Sequence, residues 1–423
     1  MPPRVQNEVT AEASDYLDYV SKKRYILSTM IQRTLKISKF QSFFLLGPRG
    51  VGKSTLLKSS FAEENCLWLN LLNPEIEHRY AARPARILED WDATPADVRR
   101  NGWIVIDEIQ RIPKLLDLVH LGIEEKQIKF ALTGSSARKL RRGASNLLAG
   151  RAVEFRLHPF SSFELSKEFE LEDALNWGTL PRAVELKTEP VERRRFLTSY
   201  VNTYLREEIQ AEQLVRKVEP FRLFLEIAAA ANGSILNVSK LARQSGVEPR
   251  TAQRYFEVIL DTLIGFFLPS FNRSVRQRQA SHPKFYFFDT GVVRAALQVL
   301  DSKVLPGTYE FGKLFENFVI LEAMKANDYA ESGFSLSYFR SADGAEIDLI
   351  ATKGTKKVVA IEIKSTQDPD ISDVRKLARI SREIHGSTPY IFCLAKQPSL
   401  VEGVRIVPWQ LGIQEVFLTP VQD

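Results

Sequence analysis

The chain has 423 residues, of which 44% are hydrophobic and 26% charged. These proportions fit several ordinary globular domains and exclude a disordered or disulfide-stapled chain. Its two cysteines, Cys66 and Cys393, lie in apolar runs and read as buried small hydrophobes in a reducing compartment. No stretch reaches the roughly 20 uncharged apolar residues of a membrane span. The polar N-terminus lacks a secretory h-region, and the five histidines show no metal-ligand spacing, so a cytoplasmic location without membrane contact is expected.

The net charge of +6 is unevenly spread. Between Asn237 and Lys284 stand eight basic residues (Lys240, Arg243, Arg250, Arg254, Arg273, Arg276, Arg278 and Lys284) against Glu248, Glu257 and Asp261. A local basic field of this kind attracts phosphate backbones.

In chain order, residues 15 to 40 read as helix, because Tyr16, Tyr19, Val20, Leu27, Met30, Ile31 and Leu35 recur at helical spacing. A short apolar strand, Phe43-Phe44-Leu45-Leu46, then runs directly into Gly47-Pro48-Arg49-Gly50-Val51-Gly52-Lys53-Ser54. A helix is expected from Ser54 to Ser60, then strands at 66–71, 103–106, 129–133 and 152–157, with a helix near 87–92. Short apolar strands alternating with helices imply a parallel sheet covered on both faces. From Ser161 to about Ala231 the pattern is helical. Short helices and a hairpin follow to 290, and the last part alternates strands (334–340, 346–352, 358–364, 390–393) with a helix at 372–384. No repeat or low-complexity linker divides these parts.

The glycine-rich loop is a phosphate cradle. Glycines let backbone N–H groups turn inward, and the following helix adds the partial positive charge of its N-terminus. Lys53 is expected on the β- and γ-phosphates of ATP, with Ser54 on Mg2+ and Thr55 completing the nucleotide contacts. About 50 residues on, Trp103-Ile104-Val105-Ile106 ends in Asp107-Glu108. Asp107 suits the metal, and Glu108 suits orientation and deprotonation of the attacking water. The strand Phe130-Ala131-Leu132-Thr133 ends in Gly134-Ser135-Ser136, which puts a small hydroxyl beside the γ-phosphate, Ser135 first and Thr133 second; a turn with capping serines is the alternative. Arg151, with Arg138 as competitor and Arg141 and Arg142 nearby, suits a charge-stabilising arginine donated to a neighbouring subunit, or else a solvated basic face. Gly178-Thr179-Leu180-Pro181-Arg182 opens a helix in which Pro181 is a candidate for adenine and Arg182 for a second sensor.

Asn237 to Phe256 reads as helix-turn-helix, with Pro249 at the start of the second helix. Arg250, Thr251, Gln253 and Arg254 would project from it towards DNA. Arg273, Arg276 and Arg278 lie in a hairpin that reads as a basic wing. Contacts of this type are mainly to phosphate, with weak sequence preference; a protein-binding or spacer module is the alternative. Farther on, Glu346-Ile347-Asp348 and Glu362-Ile363-Lys364 lie on neighbouring strands. Glu362 and Lys364 share a strand face. With Asp348 and Glu316 they could form a second Mg2+ site for phosphodiester cleavage, or merely the charged face of an amphipathic strand.

These motifs, together with Leu132-Thr133-Gly134-Ser135-Ser136, Ala149-Gly150-Arg151, Phe288-Asp289-Thr290-Gly291 and Glu316-Asn317, make the chain similar to a large prokaryotic family of AAA+ ATPases with a C-terminal domain of unknown function. The resemblance runs from about Tyr25 to Pro420; where the family has a double glycine, this chain has Gly178-Thr179. It implies an α/β protein with a helical segment at 1–40, a P-loop AAA+ core at 41–160, a helical lid at 161–234 and a winged helix-turn-helix at 235–290. Residues 291–423 would form a domain similar to restriction endonucleases of the PD-(D/E)xK type. A homo-oligomer is expected, with a hexameric ring among its forms. The favoured expectation is an ATPase that remodels or translocates on DNA, with branched or junction DNA among its candidate targets. The alternatives are an ATP-regulated DNA nuclease and a nucleotide-dependent signalling switch with protein partners.

Overall fold

The computed structural model describes residues 31–61, 65–135, 150–204, 218–271, 282–341, 343–354, 357–384 and 386–419. The N-terminal expectation needs correction. Residues 15–30 lie outside the described ones, and 31–40 form irregular chain rather than helix. Local helical spacing is overridden by contacts far along the sequence. The Thr34 amide donates to Glu164 Oε1 at 2.8 Å, and the Arg33 guanidinium donates to the His158 carbonyl and stacks over Phe160.

Five strands build the first sheet: β1 (Ser42–Leu46), β2 (Cys66–Asn70), β3 (Trp103–Asp107), β4 (Lys129–Gly134) and β5 (Ala152–Arg156). They run parallel in the order β2-β3-β4-β1-β5. The period-two rule sorts their side chains between two cores. Phe43, Leu45, Trp103, Val105 and Ala131 face one side with the helix Lys53–Ser60. Leu46, Ile104, Ile106, Phe130 and Leu132 face the other, against the helix Leu115–Lys126 and the pair Pro74–Ala82 and Arg86–Asp92. Because β4 lies between β1 and β3, the C-terminal ends of these strands open onto one edge. The glycine loop and both acidic residues therefore meet there.

Short helices between Ser162 and Ser199 follow, then the helices Val218–Ala230, Val238–Gln244 and Pro249–Asp261. The last is amphipathic, with Ala252, Tyr255, Phe256 and Ile259 buried at helical spacing. An antiparallel hairpin, β6 (Gly265–Leu268) and β7 (Lys284–Phe287), comes next. A second sheet of six strands runs β12-β13-β11-β10-β9-β8, comprising β8 (Ser335–Arg340), β9 (Glu346–Lys353), β10 (Lys357–Ile363), β11 (Ser387–Cys393), β12 (Ser399–Val401) and β13 (Val404–Pro408). The 21-residue helix Tyr309–Tyr329 shares one core with Leu349, Ile361 and Phe392. The helix Ile371–Glu383 covers the other face through Val374, Leu377 and Ile380. Among the described residues no helix is long and apolar enough to cross a membrane.

Candidate functional site

The glycine loop leaves β1 under tight steric control. The Leu157 amide donates to the Leu46 carbonyl at 2.7 Å, and a Cβ on Gly47 would stand 2.3 Å from the Leu157 carbonyl oxygen. Gly50 and Gly52 hold φ of 80° and 94°, left-handed values that glycine adopts at no steric cost. Gly52 then caps the helix Lys53–Ser60. The Lys53 ammonium is buried and donates to the carbonyls of Gly47 at 2.8 Å and Pro48 at 3.0 Å. A buried cation over a glycine loop at a helix N-terminus fits a phosphate. Tyr200, remote in sequence, closes the loop from outside. Its hydroxyl donates to the Arg49 carbonyl at 2.8 Å, and its ring lies 3.6 Å from the position a Gly50 Cβ would take. No sequence signal singled it out.

The acidic pair is fixed from β4. Thr133 is fully buried, and its hydroxyl donates to Asp107 Oδ1 while accepting from the Glu108 amide at 2.9 Å. One hydroxyl thus ties both acids together. Glu108 itself is left-handed, with φ of 62°. A non-glycine residue held there stores about 1–3 kcal/mol, a pattern common at active sites. Gln110 donates from Nε2 to Ser135 Oγ at 3.0 Å and also to the Glu108 carboxylate; the Ser135 hydroxyl lies 3.4 Å from Glu108 Oε2. Both hydroxyls singled out in β4 and its turn therefore reach the Asp107–Glu108 pair, Thr133 the more directly.

Other expected residues fall elsewhere. Arg151 ion-pairs with Glu124 near the end of the helix Leu115–Lys126, and this hydrogen bond holds the Glu124 carboxyl below its ordinary range. Arg138, Arg141 and Arg142 lie outside the described residues. Pro181 heads a short helix, and Arg182 pairs with Glu185 at 3.0 Å. The neighbouring Gly178 and Thr179 are engaged by Asp289. Asp289 accepts from the amides of Thr179 at 2.8 Å and Val292 at 3.1 Å. A Cβ on Gly178 would lie 1.9 Å from its Oδ1, and one on Gly291 would lie 2.1 Å from the Trp177 carbonyl oxygen. Two of the motifs read from sequence thus form one buried structural joint.

On the helix Pro249–Asp261, Arg250, Gln253 and Arg254 are exposed and Thr251 is half-buried. Arg273, Arg276 and Arg278 lie outside the described residues. Lys284, counted above with the basic surface, is a correction: it is 3% exposed. Its ammonium meets Glu346 at 2.5 Å, Glu316 at 3.3 Å and Asp348 at 3.9 Å.

That contact also revises the second metal site. Among the described residues no group of three or more His, Cys, Asp or Glu side chains is placed to hold a metal ion. Glu316 and Asp348 gather with Glu346 around Lys284. Glu362 instead pairs with Lys364 at 3.2 Å and Lys376 at 3.8 Å, and Lys364 also meets Asp373 at 3.1 Å. The shared face of Glu362 and Lys364 is present, but each group already has a protein partner. Burial, with Glu362 and Glu316 adding to it, pushes the Asp348 carboxyl well above its usual range while Lys284 opposes. Burial also raises Glu362, against Lys364 and Lys376.

Residues 39–166, which carry the glycine loop and the Asp107–Glu108 pair, match a family model described as an AAA domain. Residues 168–303 and 311–411 match two models, each described as a domain of unknown function (DUF8612 and DUF4143). An uncharacterized protein of Mycobacterium tuberculosis is 26% identical over 344 residues, 80% of this chain and 74% of its own. An uncharacterized protein of Haemophilus influenzae is 23% identical over 397 residues, 86% of this chain and 93% of its own. Among solved structures, the Aeropyrum pernix ORC1 protein in complex with DNA is 14% identical, with a TM-score of 0.31, covering 66% of this chain and 91% of that one. The Aeropyrum pernix ORC2 protein in its ADP form is 16% identical, with a TM-score of 0.28, covering 71% and 94%. Likenesses of that size are too slight to draw on.

Proposed function

We propose that the chain is an ATP hydrolase that binds DNA and couples hydrolysis to remodelling of it or movement along it. The observation that carries the hydrolase is the unit of buried Lys53, Asp107 and Thr133 with half-buried Glu108 at one edge of the parallel sheet. In this reading the loop amides and Lys53 bind the β- and γ-phosphates. Ser54 and Asp107 would hold Mg2+, which supplies charge compensation for the phosphates when bound. Glu108, oriented by Thr133 and Gln110, takes the proton of the attacking water. Ser135 stands at the same edge, where the γ-phosphate's charge would change. Arg151 acts on a neighbouring copy in a homo-oligomer.

Support for DNA comes from the exposed Arg250, Gln253 and Arg254 on a helix whose opposite face is buried. In this reading the three helices and the hairpin would act as a winged helix-turn-helix, and the helices before them as a lid. The six-stranded sheet, with one helix on each face, would be the restriction-endonuclease-like domain of this reading. The contacts expected are with phosphate, so binding should weaken steeply with salt.

The test is steady-state ATP hydrolysis with no DNA, then with single-stranded, duplex and four-way-junction DNA. Lys53→Ala should abolish turnover throughout, and stimulation by one DNA form identifies the substrate. A slow rate indifferent to every DNA would refute the coupling and favour a nucleotide-dependent switch. Arg250→Ala with Arg254→Ala should lower DNA affinity and reduce the salt slope by about 1 for each phosphate no longer neutralised.

A further inference from the structure

We propose that Lys284 is the resident cation of the C-terminal carboxylate cluster, a built-in plug that keeps divalent metal out while the hairpin stays docked. This goes beyond the ATPase reading and does not depend on it. Three carboxylates from two separate elements converge on one ammonium: Glu316 from the helix Tyr309–Tyr329, and Glu346 and Asp348 from β9. Tyr286, two residues along β7 on the same face, donates its hydroxyl to Glu316 at 2.7 Å. Burial works against the charge on Lys284, yet Glu316, Asp348 and Glu346 together raise its pKa above the ordinary lysine value. It remains a cation throughout the physiological range.

The plug is held by main chain as well as by charge. Lys284 pairs with Leu268 across the hairpin and bridges to Ile235. The hairpin in turn runs onto the edge of the second sheet. Ser270 bridges to Tyr338 of β8, the Tyr338 amide donates to the Pro269 carbonyl at 2.9 Å, and its hydroxyl donates to the His282 carbonyl. The Lys284 ammonium lies 5.6 Å from the centroid of the Tyr338 ring. A metal ion entering among these oxygens would meet a positive charge already among them, in a site where repulsion is weakly screened. The strand pairing fixes the Lys284 backbone, so the ammonium is delivered to these oxygens whenever the hairpin is docked. The ammonium therefore takes the place a metal cation would need among these carboxylates, and the contact clamps the hairpin to the second sheet.

The test is Mn2+ binding to the full-length, nucleotide-free chain, read by electron paramagnetic resonance. Wild type and Asp348→Asn should bind Mn2+ alike, because the plug leaves no site for Asp348 to serve. Lys284→Ala should gain a Mn2+ site, with a matching rise in melting temperature on adding Mn2+; the double variant Lys284→Ala/Asp348→Asn should lose it. Lys284→Gln, which keeps most of the side-chain length, replaces Lys284→Ala if that variant does not fold. Mn2+ bound by wild type and lost in Asp348→Asn overturns the plug. So does a folded Lys284 variant that gains no Mn2+ site.

Discussion

Thr133→Val keeps the shape and β-branching of a fully buried strand residue while removing one hydroxyl. That hydroxyl is the acceptor for the Glu108 amide at 2.9 Å and a donor to Asp107. Without it a half-buried amide loses its partner, at up to about 1–3 kcal/mol, and the left-handed Glu108 is no longer held by the hydrogen bond that opposes its backbone strain. If half or more of this cost falls on the catalytic arrangement, kcat should fall by roughly 2- to 140-fold, since about 1.4 kcal/mol is a factor of ten. ATP affinity should change little, because the glycine loop and Lys53 are untouched. The assay pairs steady-state hydrolysis with equilibrium binding of a fluorescent ATP analogue and a thermal melt. A drop in kcat with affinity preserved supports Thr133 as the residue that positions Asp107 and Glu108. Unchanged kcat in a variant that is measurably less stable would show that the hydroxyl serves the fold alone, and would refute the assignment.

Glu108→Gln should bind ATP normally and lose turnover, since the amide keeps the size and shape of the side chain but cannot take a proton; retained turnover in a single-turnover assay removes Glu108 as the base. Gly178→Ala should lower the melting temperature, because its Cβ would lie 1.9 Å from Asp289 Oδ1 at a φ of 72°. Left-handed strain and displacement of a hydrogen-bonded buried carboxylate together suggest a cost of about 2–4 kcal/mol, and an unshifted melt would contradict the joint. Asp348 has a folded pKa raised first by burial and then by Glu362 and Glu316. The stability it contributes is therefore whole below the unfolded aspartate pKa of about 3.9 and is lost as pH rises through its raised folded value. Asp348→Asn, fixed in the neutral form, should gain stability relative to wild type as pH rises above about 4; a melting difference that is flat with pH, or of opposite slope, rejects this.

What was legible in the sequence was local. Gly47–Ser54 and Asp107–Glu108 announce themselves because phosphate binding needs contiguous backbone geometry and an acid at a strand end. The strands of the first sheet are short apolar runs, and the helix Pro249–Asp261 shows its buried face at helical spacing. What failed was whatever depends on distant partners. Leu35 and its neighbours have helical spacing, yet Arg33 and Thr34 are claimed by His158, Phe160 and Glu164. Tyr200 is one aromatic in a charged helical stretch, and its meaning lies in a carbonyl 151 residues away.

Lys284 shows the limit most clearly. In sequence it is the last of a series of basic residues, and counting charge places it on a DNA-facing surface. Glu316 and Asp348 in sequence are acids that motif matching places, with Glu362, around a metal. Each reading treats charge as a property of a segment. Burial changes the question, because a desolvated carboxylate must find a cation and a desolvated ammonium must find an anion. The fold resolves both demands with three ion pairs from one lysine of the hairpin to the long helix and the second sheet. The lysine that suggested a DNA contact and the acids that suggested a metal centre therefore complete each other, and either role for these residues requires that contact to open.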